Sequence, residues 1–306
     1  MPGPELVIPV GTQVVSTHEI RDTGGAILVP ARAVGVIVSA PSDAASAYRV
    51  RFPSGAEASL RRSELVIREH DQRGGIEADG EAIEDELRRY VVYRCIVGSR
   101  AYDLDDDASD TDRRGFYVPP ASLHWSLSGV PEQLEDHDAQ QCYWEVQKFL
   151  TLALKANPNA LECLYTPLVE LATPLSEQVL AERAIFLSML IYQTYNGYVM
   201  SQFKKMEQDL RTKGAIRLKH AMHLIRLLLS GIFALREGHV PVRVSEHREL
   251  LLAIKRGEMA WEDVDALRLD LHRELDVAYA ASALPERPDY ARANDLLVRI
   301  RRAMVD

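Results

Sequence analysis

Cysteine is scarce in this sequence, three residues among 306, and no two of them form a Cys-x-x-Cys pair. Cys95, Cys142 and Cys163 each sit inside an apolar run, as small buried hydrophobes do, so a disulfide framework, a redox pair and a thiolate zinc site are not expected. The nine histidines are scattered, which argues against a histidine zinc site as well. No apolar run approaches the roughly 20 residues that span a bilayer. Met1-Pro2-Gly3-Pro4 lacks a basic region followed by an apolar run, so the expectation is a cytoplasmic protein with no membrane partner. Positive charge is also short: 36 Lys and Arg against 45 Asp and Glu give a net charge of −9, which excludes a nonspecific nucleic-acid coat. No repeat or low-complexity tract is present.

What is there is ordinary soluble composition, 47% hydrophobic and 26% charged, in a chain long enough for two or three domains. Charge is uneven. Residues 71–170 hold 20 of the acids and only nine of the basic residues, whereas Lys204 to Arg226 carries seven basic residues against two acids. Any contact with phosphate is expected from that second stretch.

Residues 5–68 show short β-rich runs punctuated by glycines. In Tyr48-Arg49-Val50-Arg51-Phe52 apolar and basic residues alternate, the mark of a half-buried strand with a wet, positive face. The pattern is that of a small β-barrel over residues 1–70, similar to SH3-like barrels, serving either to bind a partner or to pack on its own neighbour. Glu69 to Gly80, with Gly74-Gly75, reads as a linker, and a helix follows over about 81–90.

The chain is organised around Gly98 to Pro120. Val91 to Val97 is apolar and β-branched enough for a buried strand, and Gly98-Ser99 breaks it. A glycine there lets backbone approach a ligand closely. Asp110-Thr111-Asp112 then leads into Gly115-Phe116-Tyr117-Val118, the start of a second strand. Residues two apart on a strand share a face, so both carboxylates can converge on one cation, and Mg²⁺ relieves their repulsion. The spacing alone suits an acidic, solvated loop equally well, since Asp103, Asp105, Asp106 and Asp107 lie just upstream.

Further on, a helix is expected over about 139–156, with Lys148 an isolated cation, and Asn157-Pro158-Asn159 stops it. A short strand is expected over 160–165, in which Glu162 is a lone acid that needs a cation, a metal or an edge position. From Pro174 onward the pattern is helical. Tyr195, Tyr198, Gln202 and Lys205 form a polar seam on one helix. On the next, about 215–235, Lys219, His223, Arg226 and Ser230 line a narrow stripe on an otherwise apolar surface, facing either a cleft or solvent.

An apolar strand, Gly-Ser, ten residues and Asp-x-Asp together resemble the signature of the DNA polymerase β-like nucleotidyltransferase superfamily. Gly-Ser-Arg-Ala-Tyr-x-Leu, Ser-Asp-x-Asp-x-x-Gly and Val-Pro-Pro, with Asn-Pro-Asn-x-Leu-Glu-x-Leu and Lys-x-x-x-His-x-x-Arg-Leu downstream, resemble its bacterial and phage subfamily linked to RNA repair. In that subfamily a glycine usually stands where this chain has Asp103.

The expected architecture is α+β: an N-terminal SH3-like barrel (1–70), which the resemblance covers only loosely, and, as the resemblance implies, a small α/β nucleotidyltransferase core (83–172) and a helical domain (174–306) over the cleft. The resemblance implies transfer of a nucleoside monophosphate from an NTP to a hydroxyl of an RNA end, tRNA-like or damaged, with release of pyrophosphate. Asp110, Asp112 and Glu162 would be catalytic and would hold two Mg²⁺ (or Mn²⁺) ions. Gly98, Ser99, Arg100, Lys148, Tyr198, Lys219, His223 and Arg226 would bind the nucleotide. A protein or small-molecule hydroxyl as acceptor, and a non-catalytic nucleotide- or RNA-binding module, are the alternatives.

Overall fold

The computed structural model describes residues 8–22, 24–41, 46–68, 71, 80–106, 109–136, 138–213 and 217–305. Most of the expected linker therefore lies outside the described residues. The chain divides into two compact units, Met1–Gly80 and Glu81–Asp306.

In the first unit the strands are β1 (Gln13–Ser16), β2 (Ile20–Arg21), β3 (Ile27–Val29), β4 (Val34–Ser39), β5 (Tyr48–Arg51), β6 (Glu57–Leu60) and β7 (Leu65–Ile67). The alternation read from the sequence sets β5: Tyr48 and Val50 are buried while Arg49 and Arg51 face out and pair with Glu57 on β6, at 2.9 and 2.8 Å. Val14, Ile37, Tyr48, Val50, Phe52, Leu60 and Leu65 build a separate small core. The barrel is not closed among the described residues. The strands form an antiparallel sheet of order β6-β5-β4-β1-β7, with β2-β3 a separate ladder, and β6 and β7 end at opposite edges.

α1 (Gly80–Leu87) starts at the last residue of the first unit and leads into the second. The second unit continues with β8 (Val91–Val97), α2 (Gly98–Tyr102), β9 (Asp112–Tyr117), α3 (Ala121–His124), β10 (Gln133–Asp136), β11 (Gln141–Glu145), α4 (Val146–Leu154), α5 (Pro158–Tyr165) and β12 (Val169–Ala172). The sheet order is β10-β11-β9-β8-β12. β9 runs antiparallel to β8 and parallel to β11. Gly115 permits the close β8–β9 approach, since a Cβ there would lie 1.9 Å from the Tyr93 carbonyl oxygen. Cys95, Cys142 and Cys163 are buried free thiols, and burial pushes Cys142 up to about 11.

Two expectations need correction here. The helix expected over 139–156 begins only at Val146, because Gln141–Glu145 is a strand that pairs along β9, with Cys142, Tyr143 and Trp144 buried. The strand expected over 160–165 is instead α5. Asn157 caps it through Oδ1, which accepts from the amides of Asn159 and Ala160, and Pro158 starts its first turn.

The remaining helices are α6 (Pro174–Ala181), α7 (Leu190–Lys213), α8 (Leu218–Glu237), α9 (Arg248–Arg256), α10 (Trp261–Ala281) and α11 (Tyr290–Arg302). α8 is central and packs against α7, α9 and α10. It has the length and mean hydropathy (1.3) of a membrane span, but 67% of that window is buried inside the protein. One continuous core runs from Tyr93 and Phe116 on the sheet to Ile225, Leu228 and Leu275 on the helices.

Candidate active site

β8 ends at Gly98 in the left-handed region (φ +72°), which glycine adopts without steric cost. A Cβ there would lie 2.5 Å from Asp112 Oδ2, so this glycine makes the space that the Asp112 carboxylate occupies. Asp112 is the first residue of β9, while Asp110 lies just before the strand. The pair is thus carried by the entry to β9 rather than by one strand face.

α2 ends at Asp103, also left-handed at φ +64°, the position where the resembled subfamily usually has glycine. Asp is among the side chains that tolerate this conformation. Its backbone oxygen accepts from Arg248 Nε at 2.8 Å, which ties the turn to α9.

A cavity of about 410 Å³ opens here. Gly98, Ser99, Asp110 and Asp112 line it from the sheet side, and Lys219 and His223 from α8. Six of the residues singled out in the sequence therefore meet in one place. Burial, helped by the charges of Arg226 and Lys219, pushes the His223 imidazole down to about 3, so it is neutral at physiological pH. Asp112 Oδ1 lies 3.6 Å from Arg114 Nη2.

Five of the expected site residues do not line this cavity. Arg100 holds the acidic loop, donating to the Ser109 carbonyl at 2.9 Å with Asp105 3.8 Å away. Lys148 pairs with Glu132, and the Tyr198 hydroxyl accepts from Asn157 Nδ2 at 2.6 Å. Glu162 and Arg226 form an ion pair with each other at 2.7 Å, and they are only 1% and 6% exposed. Glu162 Oε2 accepts from the Tyr102 hydroxyl at 2.6 Å, and the Arg226 guanidinium lies 3.8 Å over the Tyr102 ring. Burial opposes the guanidinium's charge, but the adjacent Glu162 carboxylate raises its pKa, so the guanidinium stays charged. Burial together with Glu162 also raises the Tyr102 phenol well above its ordinary range. Glu162 thus answers the demand for a partner that its apolar surroundings create, and the partner is an arginine 64 residues away.

The sequence reading missed Tyr102, Asp106, Gln140, Met222 and Lys255, all of which line the cavity. Lys255, on α9, donates to the Leu104 carbonyl at 3.3 Å and pairs with Asp106 at 3.1 Å. No local signal marks it, because its role comes from α9 packing beside α8. Gln140 sits at the turn into β11, the strand that was read as helix.

The RNA repair pathway DNA polymerase beta family has a model that matches residues 73–299. The chain is also 35% identical over 97 residues to "Uncharacterized protein YcgL" of Bacillus subtilis (strain 168), a match that covers 28% of this chain and 37% of that protein. Because the family match takes in both the strand-turn-strand segment with its two aspartates and the helices that supply Lys219, His223 and Lys255, the chain belongs to the RNA repair pathway DNA polymerase beta family.

Proposed function

We propose that the protein transfers a nucleoside monophosphate from an NTP to a hydroxyl of an RNA end and releases pyrophosphate. The observation that carries this reading is a single cavity lined by a Gly-Ser turn, two aspartates and, from the helical side, Lys219 and Lys255. Acid and base face one another across a volume suited to a small ligand.

Such transfer calls for a divalent cation, and the residues present fit one. Asp110 and Asp112 are close in sequence and share the cavity, and Mg²⁺ is commonly held by one or two carboxylates together with substrate phosphate oxygens. Among the described residues no group of three or more His, Cys, Asp or Glu could hold a metal, so the phosphates would have to complete the coordination. When bound, Mg²⁺ or Mn²⁺, as one or two ions, neutralises phosphate charge and lowers the pKa of an attacking hydroxyl. Glu162, committed to Arg226 and Tyr102, is assigned to positioning Tyr102 in the cavity wall rather than to a metal.

The rest of the work falls to the chain. Gly98 makes room for the Asp112 carboxylate beside the turn, and the Ser99 hydroxyl donates to phosphate. Lys219 and Lys255 offset the charge that builds on the leaving pyrophosphate. His223, neutral, hydrogen-bonds without adding charge. Lys204 and Lys205, exposed on α7, are suited to the phosphates of an acceptor strand.

The net charge of −9 favours a second acceptor class, a protein or small-molecule hydroxyl. Incubation with each labelled NTP, Mg²⁺ and either total RNA or total protein decides between them. Label in RNA, absent with Asp110→Asn, is the expected result. Label only in protein would move the acceptor assignment, and no Asp110-dependent label in any fraction would reject transfer.

A further inference from the structure

Behind the Tyr102–Glu162–Arg226 cluster lies a second cavity of about 430 Å³ that the transfer reading leaves unused. Its walls come from the end of α5, one face of α8 and the segment that follows α8. Gly238 ends α8 in the left-handed conformation (φ +61°), and the chain then returns until the Val244 amide donates to the Tyr102 carbonyl at 3.2 Å. Tyr102 lines the first cavity, and Arg226, stacked on its ring, lines the second, so the two share a wall.

Most of the lining is apolar, including Tyr165, Leu229, Val242 and Val244. Phe233 lines it too and is 43% exposed, although it belongs to a core helix. Arg226 spends Nη1 on Glu162, but its Nε is buried with no hydrogen-bond partner. Ser230 Oγ, in a residue 4% exposed, has none either, and the Tyr195 hydroxyl inclines toward it without a well-formed bond. A buried donor left unmet is costly, so two polar groups in one lining call for a ligand or water to meet them. Arg243, also in the lining, is exposed and makes no ion pair among the described residues.

A planar apolar body with hydrogen-bonding atoms at its inner edge and an anion at its outer end meets all three features. That is a nucleotide: base against Phe233, ring nitrogen or carbonyl oxygen toward Arg226 and Ser230, phosphate toward Arg243. We propose that the second cavity binds a nucleotide through its base, as a nucleotide of the RNA strand that accepts the transfer. The acceptor role rests on the proposed function; the binding does not.

The test uses the full chain with EDTA and no NTP, titrated with 5′-AMP, GMP, CMP and UMP by calorimetry and then with a short oligoribonucleotide. At least one mononucleotide should bind. Phe233→Ala should weaken binding about 5- to 150-fold, the range for loss of one base–aromatic stack. Arg243→Ala should weaken binding and flatten its salt dependence, and Asp112→Asn should leave it unchanged. Thermal melts establish that each variant is folded. Absence of mononucleotide binding, or binding indifferent to both Phe233→Ala and Arg243→Ala, would overturn the site. An oligoribonucleotide that displaces the mononucleotide supports the acceptor assignment; one that does not would overturn that assignment and leave a free nucleotide as the occupant. Since no metal or turnover enters, failure of the transfer reading would leave these measurements readable.

Discussion

Removing the charge of Glu162 and removing that of Asp112 should have opposite consequences, because one carboxylate is buried against an arginine and the other lines a cavity. Glu162→Gln leaves Arg226 charged and uncompensated where it is only 6% exposed, which should cost about 3–5 kcal/mol in urea denaturation. The double variant Glu162→Gln/Arg226→Met should recover part of that loss, since it leaves no uncompensated charge buried. Unchanged stability in the single variant would show that the pair does not matter to the fold. Asp110→Asn and Asp112→Asn should melt at or above the wild-type temperature without Mg²⁺, because like charges are removed. Their transfer rate should fall by more than the roughly 10–100-fold typical of outer-shell changes at a metal site. Wild-type turnover in either would refute the metal assignment. Gly98→Ala puts a Cβ into the space of the Asp112 carboxylate at φ +72°. It should cost about 1–3 kcal/mol of stability and depress transfer further than that loss explains, because Asp112 must turn away.

At the scale of the element, α8 is where fold and site are hardest to separate. Lys219 and His223 near its start line the first cavity, and Arg226, Ser230 and Phe233 line the second. His223 gives this helix a pH signature. Its pKa falls from 6.5 to about 3 on folding, so the unfolded chain takes up a proton that the folded one refuses. Stability should therefore be undiminished by this group above about pH 6.5 and decline by up to about 1.4 kcal/mol per pH unit between 6.5 and 3. Denaturation midpoints across that window should slope less steeply for His223→Gln than for the wild type. Equal slopes would mean that His223 is protonated in the folded protein.

For the whole molecule, the two units have separate cores, and the main core of residues 81–306 is continuous from sheet to helices. Calorimetry should accordingly show two transitions, the smaller one from residues 1–80. The second unit should melt as one, because Tyr93 on β8 and Ile225 on α8 belong to the same core. All residues lining the first cavity fall between 98 and 255, so a chain of residues 81–306 should bind NTP as the full chain does. A loss of NTP affinity on removing residues 1–80 would give that unit a part in the site.

What the sequence by itself determined is what short-range chemistry controls. The apolar run before Gly98 had to become a strand, the Gly-Ser break had to follow it, and Asp110 and Asp112, two residues apart, had to stay neighbours in any fold. Lys219 and His223, four apart on an amphipathic helix, had to share a face, and the alternation at Tyr48 to Phe52 set the buried side of β5. Where two local patterns competed, the sequence misled. Gln141–Glu145 reads as the start of an apolar helix but lies as a strand because β9 offers it a ladder. Residues 160–165 read as a strand, although the Asn157-Pro158 start had already fixed a helix. Only the tertiary structure decided which cation meets Glu162, whether Arg226 reaches the first cavity, and that Lys255 and Gln140 join it. Those outcomes depend on partners 64 to 149 residues apart, as in the Glu162–Arg226 and Asp106–Lys255 pairs, and no periodicity within one helix or strand encodes which distant element will pack against it.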